Sequence, residues 1–150
     1  MRLEGKFMIR APIQKLWDTL WEIETLRACI PGTEKIDRLD ENTYDCVIKQ
    51  KVGPISVRFK FKTFLTKVET PTHIEMRGEG EDIGKAGRLT QRTSIDLKEN
   101  ENGEVEVSYK CDANIIGKLA MFGDRILRAK AKKIEAEFTE ALRERLKSAV

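Results

Sequence analysis

Apolar and polar residues alternate along most of the first two thirds of the chain. The first strand alternates between one side with Leu3, Gly5, Phe7 and Ile9 and another with Glu4, Lys6, Met8 and Arg10. The same period of two recurs between residues 33 and 116 and predicts about six further strands. One apolar and one polar face per strand is typical of an antiparallel sheet that is open to water on one side. The interruptions, each typical of a turn, are Gly53–Pro54, residues 84–87 and residues 100–103.

Helical spacing appears on both sides of this strand region. Pro12 suits a first helical turn, and a second short helix is predicted over residues 24–29. From Lys118 onward, apolar residues recur every three or four positions and predict a helix of about 30 residues, roughly 45 Å long. Such a helix has to lay its apolar stripe on the sheet to be stable. The stripe consists of Leu119, Phe122, Ile126, Ile134, Phe138, Leu142 and Leu146.

This order of elements predicts an α+β fold in which a curved antiparallel sheet of about six to seven strands wraps around a long C-terminal helix. The two short helices follow the first strand. The chain has 150 residues, of which 40% are apolar and 35% charged, and it contains no linker-like segment. We therefore expect a single domain over residues 1–150. Where the sheet curves away from the helix, a pocket is expected.

Composition excludes several classes of function. A net charge of +3 is too small for a dedicated nucleic-acid binder. The first ten residues lack the apolar core of a secretory signal, and no stretch approaches the ~20 apolar residues that span a bilayer. Cys29, Cys46 and Cys111 form no CxxC pair. These features predict reduced thiols and a cytoplasmic protein, with peripheral contact to the inner face of the cell membrane left open.

The sequence offers little for catalysis or metal binding. A nucleophile–histidine arrangement would have to use His73, the single histidine, which we expect to be solvent-exposed. The cysteines lack metal-ligand spacing, so neither a catalytic nor a metal site is predicted. The glycines between residues 78 and 87 follow no phosphate-loop pattern. Residues 78–82 form either a flexible mouth of the pocket or a structural bend.

Several short motifs occur in a fixed order along the whole chain. They are Leu3-Glu4-Gly5, Ala11-Pro12, Leu16-Trp17, Cys29-Ile30-Pro31-Gly32, Val52-Gly53-Pro54-Ile55 and Gly117-Lys118-Leu119-Ala120 with Gly123 and Arg125. In this order the chain resembles the family of the carbon monoxide dehydrogenase G subunit, which is part of the START-like (SRPBCC, helix-grip) superfamily. The Cys-Ile-Pro-Gly and Gly-Lys-Leu-Ala motifs are the more specific part of the resemblance.

The resemblance implies a non-catalytic accessory protein without a covalent cofactor. Its ligand would be a lipid or an isoprenoid quinone in an internal cavity, and its partner a membrane-associated molybdenum hydroxylase of the carbon monoxide dehydrogenase type. Two alternatives remain open. The first is a START-like enzyme of the cyclase or hydrolase type that acts on a hydrophobic small molecule. The second is a protein-interaction module with a filled core.

The predicted cavity lies on the apolar face of the strands, closed by the long helix. Its polar tips are Gln91 and Tyr109, which need hydrogen-bond partners when buried. A ligand carbonyl would serve, and so would neighbouring groups in a filled core. Residues 29–32 and 78–87 are the predicted lids. The predicted lining is Ile30, Ile48, Phe59, Phe61, Met76, Leu89, Gln91, Ile95, Tyr109, Leu119, Phe122 and Ile126.

Basic residues crowd the first half of the last predicted helix, with only Asp124 opposing them. A basic surface attracts anionic lipid at about 1 kcal/mol per residue. We expect either docking to a membrane or an acidic partner, or a solvated helix face. The residues are Lys118, Arg125, Arg128, Lys130, Lys132 and Lys133.

Overall fold

The fold is a seven-stranded antiparallel sheet with two short helices after the first strand and one long helix at the end of the chain. A computed structural model describes residues 1–148, so the last two residues of the predicted domain lie outside the described residues. The strands are β1 (Arg2–Ile9), β2 (Thr33–Asp40), β3 (Thr43–Val52), β4 (Ile55–Glu69), β5 (His73–Asp82), β6 (Arg88–Glu99) and β7 (Val105–Ile116). The helices are α1 (Ile13–Leu20), α2 (Ile23–Cys29), a 3₁₀ helix (Lys118–Phe122) and α3 (Gly123–Ser148).

Strand order in the sheet is β1-β7-β6-β5-β4-β3-β2. Strands β2 to β7 therefore form a meander of neighbours, and β1 adds to its far edge beside β7. The register pairs Gly5 with Tyr109 and Leu3 with Cys111. This arrangement confirms the predicted helix-grip fold and the period-two pattern from which it was predicted.

The larger hydrophobic core lies at one end of the sheet, beneath α1, α2 and the second half of α3. Trp17 and Trp21 meet edge to face there, with ring centroids 5.7 Å apart. We call this region the closed end. Its buried members are Ile9, Ala11, Leu16, Trp17, Cys29, Ile74, Leu97, Val105, Val107, Leu142 and Leu146.

A smaller core lies at the opposite end, where β3 meets β4 and β7 leads into the 3₁₀ helix. Its fully buried members are Val52, Val57 and Leu119. Partly buried residues, among them Phe59 and Phe122, pack around these three. We call this region the open end, since few buried side chains hold it together.

The last helix differs from its prediction at its start. The predicted continuous helix from Lys118 is a 3₁₀ helix up to Phe122, and α3 begins only at Gly123, whose φ is 79°. This break changes the helical phase from that of the predicted continuous helix. Leu127 consequently packs into the smaller core, whereas Ile126 is 44% exposed. The predicted place of Ile126 in the cavity lining is therefore wrong.

Helix α3 runs beside β1 and is tied to it at two points. The Arg128 guanidinium donates to the carbonyl of Arg2 at 2.6 Å, and that of Arg143 donates to the carbonyl of Met8 at 2.9 Å. Arg128, predicted as a docking residue, thus has a structural contact. These ties hold the helix at the sheet edge along most of its length.

Candidate functional site

The inner face of the sheet, which faces α3, is less completely buried midway between the two cores than at the cores themselves. The side chains there are partly exposed although they face the interior of the fold. They belong to neither hydrophobic core. We call them the inner patch. Its members are Cys46, Ile48, Phe61, Leu89, Gln91, Thr93, Tyr109 and Cys111.

A glutamine lies at the centre of the inner patch. The Oε1 of Gln91 accepts hydrogen bonds from the Thr93 hydroxyl and, at 3.9 Å, from the Cys111 thiol. Its Nε2 has no hydrogen-bond partner among residues 1–148. That amide group lies 2.7 Å from the place that a Cβ on Gly78 would take. Gln91 therefore presents unused N–H donors on a mostly apolar surface.

A second polar contact joins the sheet to the helix. The Tyr109 hydroxyl donates to the carboxylate of Glu135 on α3. A Cβ at Gly5 would collide with both groups, so the missing side chain makes room for this contact. Sequence reasoning missed Glu135, because it directly follows Ile134 of the apolar stripe, and a charged residue in that position is ordinarily solvated. The available signal was Gly5, a glycine at an inward position of β1 between the apolar residues Leu3 and Phe7.

Burial keeps the acidic groups of the inner patch protonated. It raises the pKa of the Cys46 thiol to about 11, with a smaller contribution from the Asp45 carboxylate. Burial also raises the pKa of Cys111 and that of Tyr109, the latter helped by Glu135. At neutral pH these groups are hydrogen-bond donors and weak nucleophiles.

The glycines of β5 do not form a mouth of the pocket. Gly78 and Gly80 are buried in the middle of the strand, paired on both sides. A Cβ on either one would collide with the ring of Phe61. They are glycines because this ring lies over them. The predicted lid over residues 78–87 therefore shortens to the turn after Asp82.

Asp82 holds that turn in place. Its carboxylate accepts from the backbone N–H of Arg58 at 2.8 Å and of Ala86 at 3.0 Å. Burial works against ionisation, but the backbone donors, including that of Gly84, keep the pKa of Asp82 below its usual value. The turn is thereby fixed to the neighbouring strand β4.

The predicted lining residues divide into groups in the structure. Met76 and Ile95 pack against the closed end. Phe59, Leu119 and Phe122 pack at the open end. Ile30 is half-buried and directly follows α2. Apart from the exposed Ile126, the remainder lie in the inner patch and are Ile48, Phe61, Leu89, Gln91 and Tyr109.

Open depressions are found on the outer face of the sheet. One of about 410 Å³ is lined by residues that include Arg77, Arg92 and Asp112. These depressions are open to solvent, and each has several charged side chains in its wall. They do not coincide with the predicted apolar cavity, which stays a prediction.

Large apolar side chains are exposed at the open end of the molecule. They are Ile83, Ile116, Met121 and Ile126, and we call them the apolar tip. Met121 is 85% exposed. Lys85, Arg88, Lys118 and Arg125 are exposed near it and form no ion pair with any described carboxylate.

The six predicted docking residues lie along α3 and the preceding 3₁₀ helix. All except the half-buried Lys130 are exposed. Only Lys118 and Arg125 are near the apolar tip. The remaining members, Lys130, Lys132 and Lys133 together with Arg128, lie further along α3, away from exposed apolar surface.

His73 is a structural residue rather than a freely exposed one. Its Nε2 contacts Glu75 at 2.8 Å and its Nδ1 contacts Asp96 at 2.6 Å, so the expected free exposure is wrong. Across residues 1–148, no three His, Cys, Asp or Glu side chains are placed to hold a metal ion. No helix within the same range is long and apolar enough to cross a membrane.

Solved structures share the fold at low sequence identity. A conserved protein from Geobacillus kaustophilus has a TM-score of 0.92 at 19% identity, covering 99% of this chain and 97% of that one. A START superfamily protein from Mycobacterium smegmatis gives 0.75 at 9% identity, with 99% of both chains covered. An aromatase/cyclase from a Streptomyces species gives 0.70 at 12% identity, covering 98% and 93%.

Sequence comparison identifies the family. No curated protein sequence matches the chain. The family model of the carbon monoxide dehydrogenase G subunit (CoxG) matches residues 5–147, nearly the whole chain. The protein therefore belongs to the CoxG family of carbon monoxide dehydrogenase G subunits and has the START-like fold.

Proposed function

We propose that this protein binds an apolar ligand, a lipid or an isoprenoid quinone, between the inner patch and α3. The observation that supports it best is the inner patch itself. Its apolar side chains keep exposed surface between two packed cores, although they face the interior of the fold. Covering them removes apolar surface from water, at roughly 25 cal/mol per Å².

Gln91 supports a ligand with a carbonyl group. Its Oε1 is already engaged by Thr93 and Cys111, which fixes the amide orientation and leaves the Nε2 donors facing the patch. A ketone or quinone oxygen could accept from them. Such a group orients a ligand, while the surrounding apolar side chains supply most of the affinity.

A binding role fits the chemistry of the patch better than an enzymatic one. The thiols and the phenol are held protonated, and the Glu135 carboxylate is occupied by Tyr109. The alternative is suggested by the fold shared with an aromatase/cyclase. Tyr109 and Glu135 would then be its acid–base pair, and turnover by the wild type that is lost in both Tyr109→Phe and Glu135→Gln would favour it.

Binding can be tested with two probes. N-phenyl-1-naphthylamine has no carbonyl and fluoresces in apolar sites, whereas decylubiquinone has two carbonyls. We expect both to bind the wild type. Gln91→Leu should weaken decylubiquinone about fivefold, the value of one net hydrogen bond, and leave the naphthylamine within twofold. Equal losses for both probes would remove Gln91 from ligand recognition.

A filling substitution tests the location. Leu89→Trp adds bulk to the inner patch and should abolish binding of both probes. The matched control is Leu39→Trp near the end of the edge strand β2, where the leucine is 53% exposed and outside the inner patch. If neither probe binds the wild type, or if both bind Leu89→Trp unchanged, the proposal is wrong.

We further propose that the protein exchanges its ligand with an anionic membrane surface through the apolar tip. Four exposed apolar side chains with exposed cations around them complement a bilayer with acidic headgroups. Of the predicted docking residues, Lys118 and Arg125 lie beside the tip, together with Lys85 and Arg88. Lys132 and Lys133, also predicted from the sequence as docking residues, lie further along α3 and would contribute less.

Vesicle sedimentation distinguishes these two sets of cations. Lys118→Glu with Arg125→Glu should lower binding to phosphatidylcholine–phosphatidylglycerol vesicles about tenfold or more. Lys132→Glu with Lys133→Glu makes the same charge change and should have a smaller effect. Equal effects would indicate general charge attraction instead of docking by the tip.

The family points to a partner enzyme, and we propose a molybdenum hydroxylase of the carbon monoxide dehydrogenase type. The protein would carry an apolar electron acceptor between that enzyme and the membrane. Co-elution of the purified protein with such an enzyme in size-exclusion chromatography tests the partnership. Separate elution at micromolar concentrations of both would count against it.

A further inference from the structure

We propose that residues 118–122 form a hinged gate that controls access to the inner patch from the open end. This inference rests on the proposed ligand binding and adds how the site opens. We call these residues the gate segment. The segment is the short 3₁₀ helix between β7 and α3.

A glycine with positive φ flanks the gate segment on each side. Gly117 has φ 90° and ψ −161°, and Gly123 has φ 79° and ψ 164°. These conformations are essentially confined to glycine. Glycine also passes readily to other backbone conformations, so both ends of the segment can absorb a rotation.

Few contacts hold the gate segment closed. The Leu119 N–H donates to the carbonyl of Ala86 at 3.1 Å, and the Leu119 side chain is buried in the small core with Val52 and Val57. The ring of Phe122 lies against Gly53, 3.1 Å from the place of a Cβ. Its contacts are thus with the β3–β4 and β5–β6 turns and the strand ends beside them, where the inner face ends.

The two sides of the segment have opposite surroundings. Leu119 faces inward and is 3% exposed, whereas Met121 faces outward and is 85% exposed. A segment that only closed the core would gain nothing from an exposed methionine. Burying Met121 in a bilayer while the gate swings open would offset the cost of exposing Leu119.

The hinge can be tested with a matched pair of glycines. Gly123 and Gly103 have φ of 79° and 77°, and a Cβ on either one would meet nothing within 4 Å. Alanine therefore strains the backbone at both sites without a steric clash, and Gly123, with ψ 164°, is in a region essentially confined to glycine. Gly103, however, lies in the β6–β7 hairpin, far from the gate segment.

Stopped-flow association and dissociation of N-phenyl-1-naphthylamine measures the gate directly. Gly123→Ala disfavours the closed conformation, so both rate constants should rise about fivefold or more while Kd stays within twofold. Gly103→Ala should also lower the Tm but leave both rates unchanged. Unchanged rates in Gly123→Ala, with normal binding, would refute the gate and leave the proposed function standing.

A second variant covers the case in which Gly123→Ala does not fold. Phe122→Ala removes the ring that lies against Gly53, and should also raise both rate constants. Leu89→Ala, in the inner patch, should instead raise the dissociation rate alone, since it only removes contact with the probe. If Phe122→Ala behaves like Leu89→Ala, the segment is part of the lining and not a gate. Absence of probe binding by the wild type would refute both proposals.

Discussion

The two ends of the sheet differ in how many buried side chains pack against them. At the closed end, buried side chains from three helices and four strands pack into one core. At the open end, three buried side chains of the described residues meet glycine turns and exposed apolar residues. Local stability follows the density of buried contacts, so the open end is the part able to move without unfolding the rest. The inner patch lies between the two.

The largest loss of stability is expected when one buried leucine at each end is replaced by alanine, and the two losses should differ. Leu142 at the closed end is 0% exposed and Leu119 at the open end 3%. Leu142→Ala should cost about 3–5 kcal/mol of unfolding free energy, and Leu119→Ala about 2–3 kcal/mol, because a sparse core relaxes around the cavity. Urea unfolding measures both. Equal losses would mean that the open end is packed as firmly as the closed end.

A second prediction concerns the glycines under Phe61. Gly80→Ala should cost about 1–3 kcal/mol, because its Cβ would also approach the backbone carbonyl of Lys60 at 2.9 Å. Gly78→Ala should cost less, since the nearest atoms belong to the side chains of Phe61 and Gln91, which can turn aside. Thermal unfolding gives the order. Phe61→Leu in the Gly78→Ala background should recover part of the loss, and no recovery would contradict the role given to the ring.

These contrasts also explain how far sequence reasoning reached. Period-two alternation fixes which side of a strand faces inward, and the predicted strands and inward rows agree with the sheet. Glycine is ambiguous because it lacks the side chain on which the pattern depends. In the sequence, Gly78 and Gly80 fit a pocket mouth as well as a bend, and Gly123 fits an ordinary helical position. The phase error at Ile126 follows from this ambiguity at Gly123.

The pattern of apolar and polar residues does not predict contacts between elements that are far apart in the sequence. Glu135 and Tyr109 are 26 positions apart and meet only because α3 runs beside β1. A charged residue beside an apolar stripe is ordinarily solvated, so nothing in the helix alone distinguishes Glu135. The glycine opposite Tyr109 in β1 becomes informative only once the register is known.

The contact between Tyr109 and Glu135 gives the third prediction, intermediate in size. Tyr109→Phe removes the hydroxyl and should cost about 1–2 kcal/mol, because Glu135 loses its phenol partner in a partly buried place. Glu135→Gln keeps an acceptor and should cost less. Urea unfolding of the two variants and of the double variant tests the coupling. Additive losses would show that the two residues do not act on each other.

The smallest effect is a pH dependence on the outer face, where no ligand is expected. Hydrogen bonds to Glu75 and then Asp96 raise the pKa of His73 above its ordinary value. A raised folded-state pKa means that this contribution is complete below the unfolded pKa of about 6.5 and is lost as the pH rises through the folded value. The wild type should therefore exceed His73→Gln in Tm by less as the pH rises through that window, by an amount typical of an exposed ion pair, below ~1 kcal/mol. Probe binding should not change across the same window, because the pKa values of the inner-patch groups Cys46, Tyr109 and Cys111 are raised above their ordinary values. A Tm difference that grows with pH would reverse the sign argued here and leave His73 without its carboxylate partners in solution.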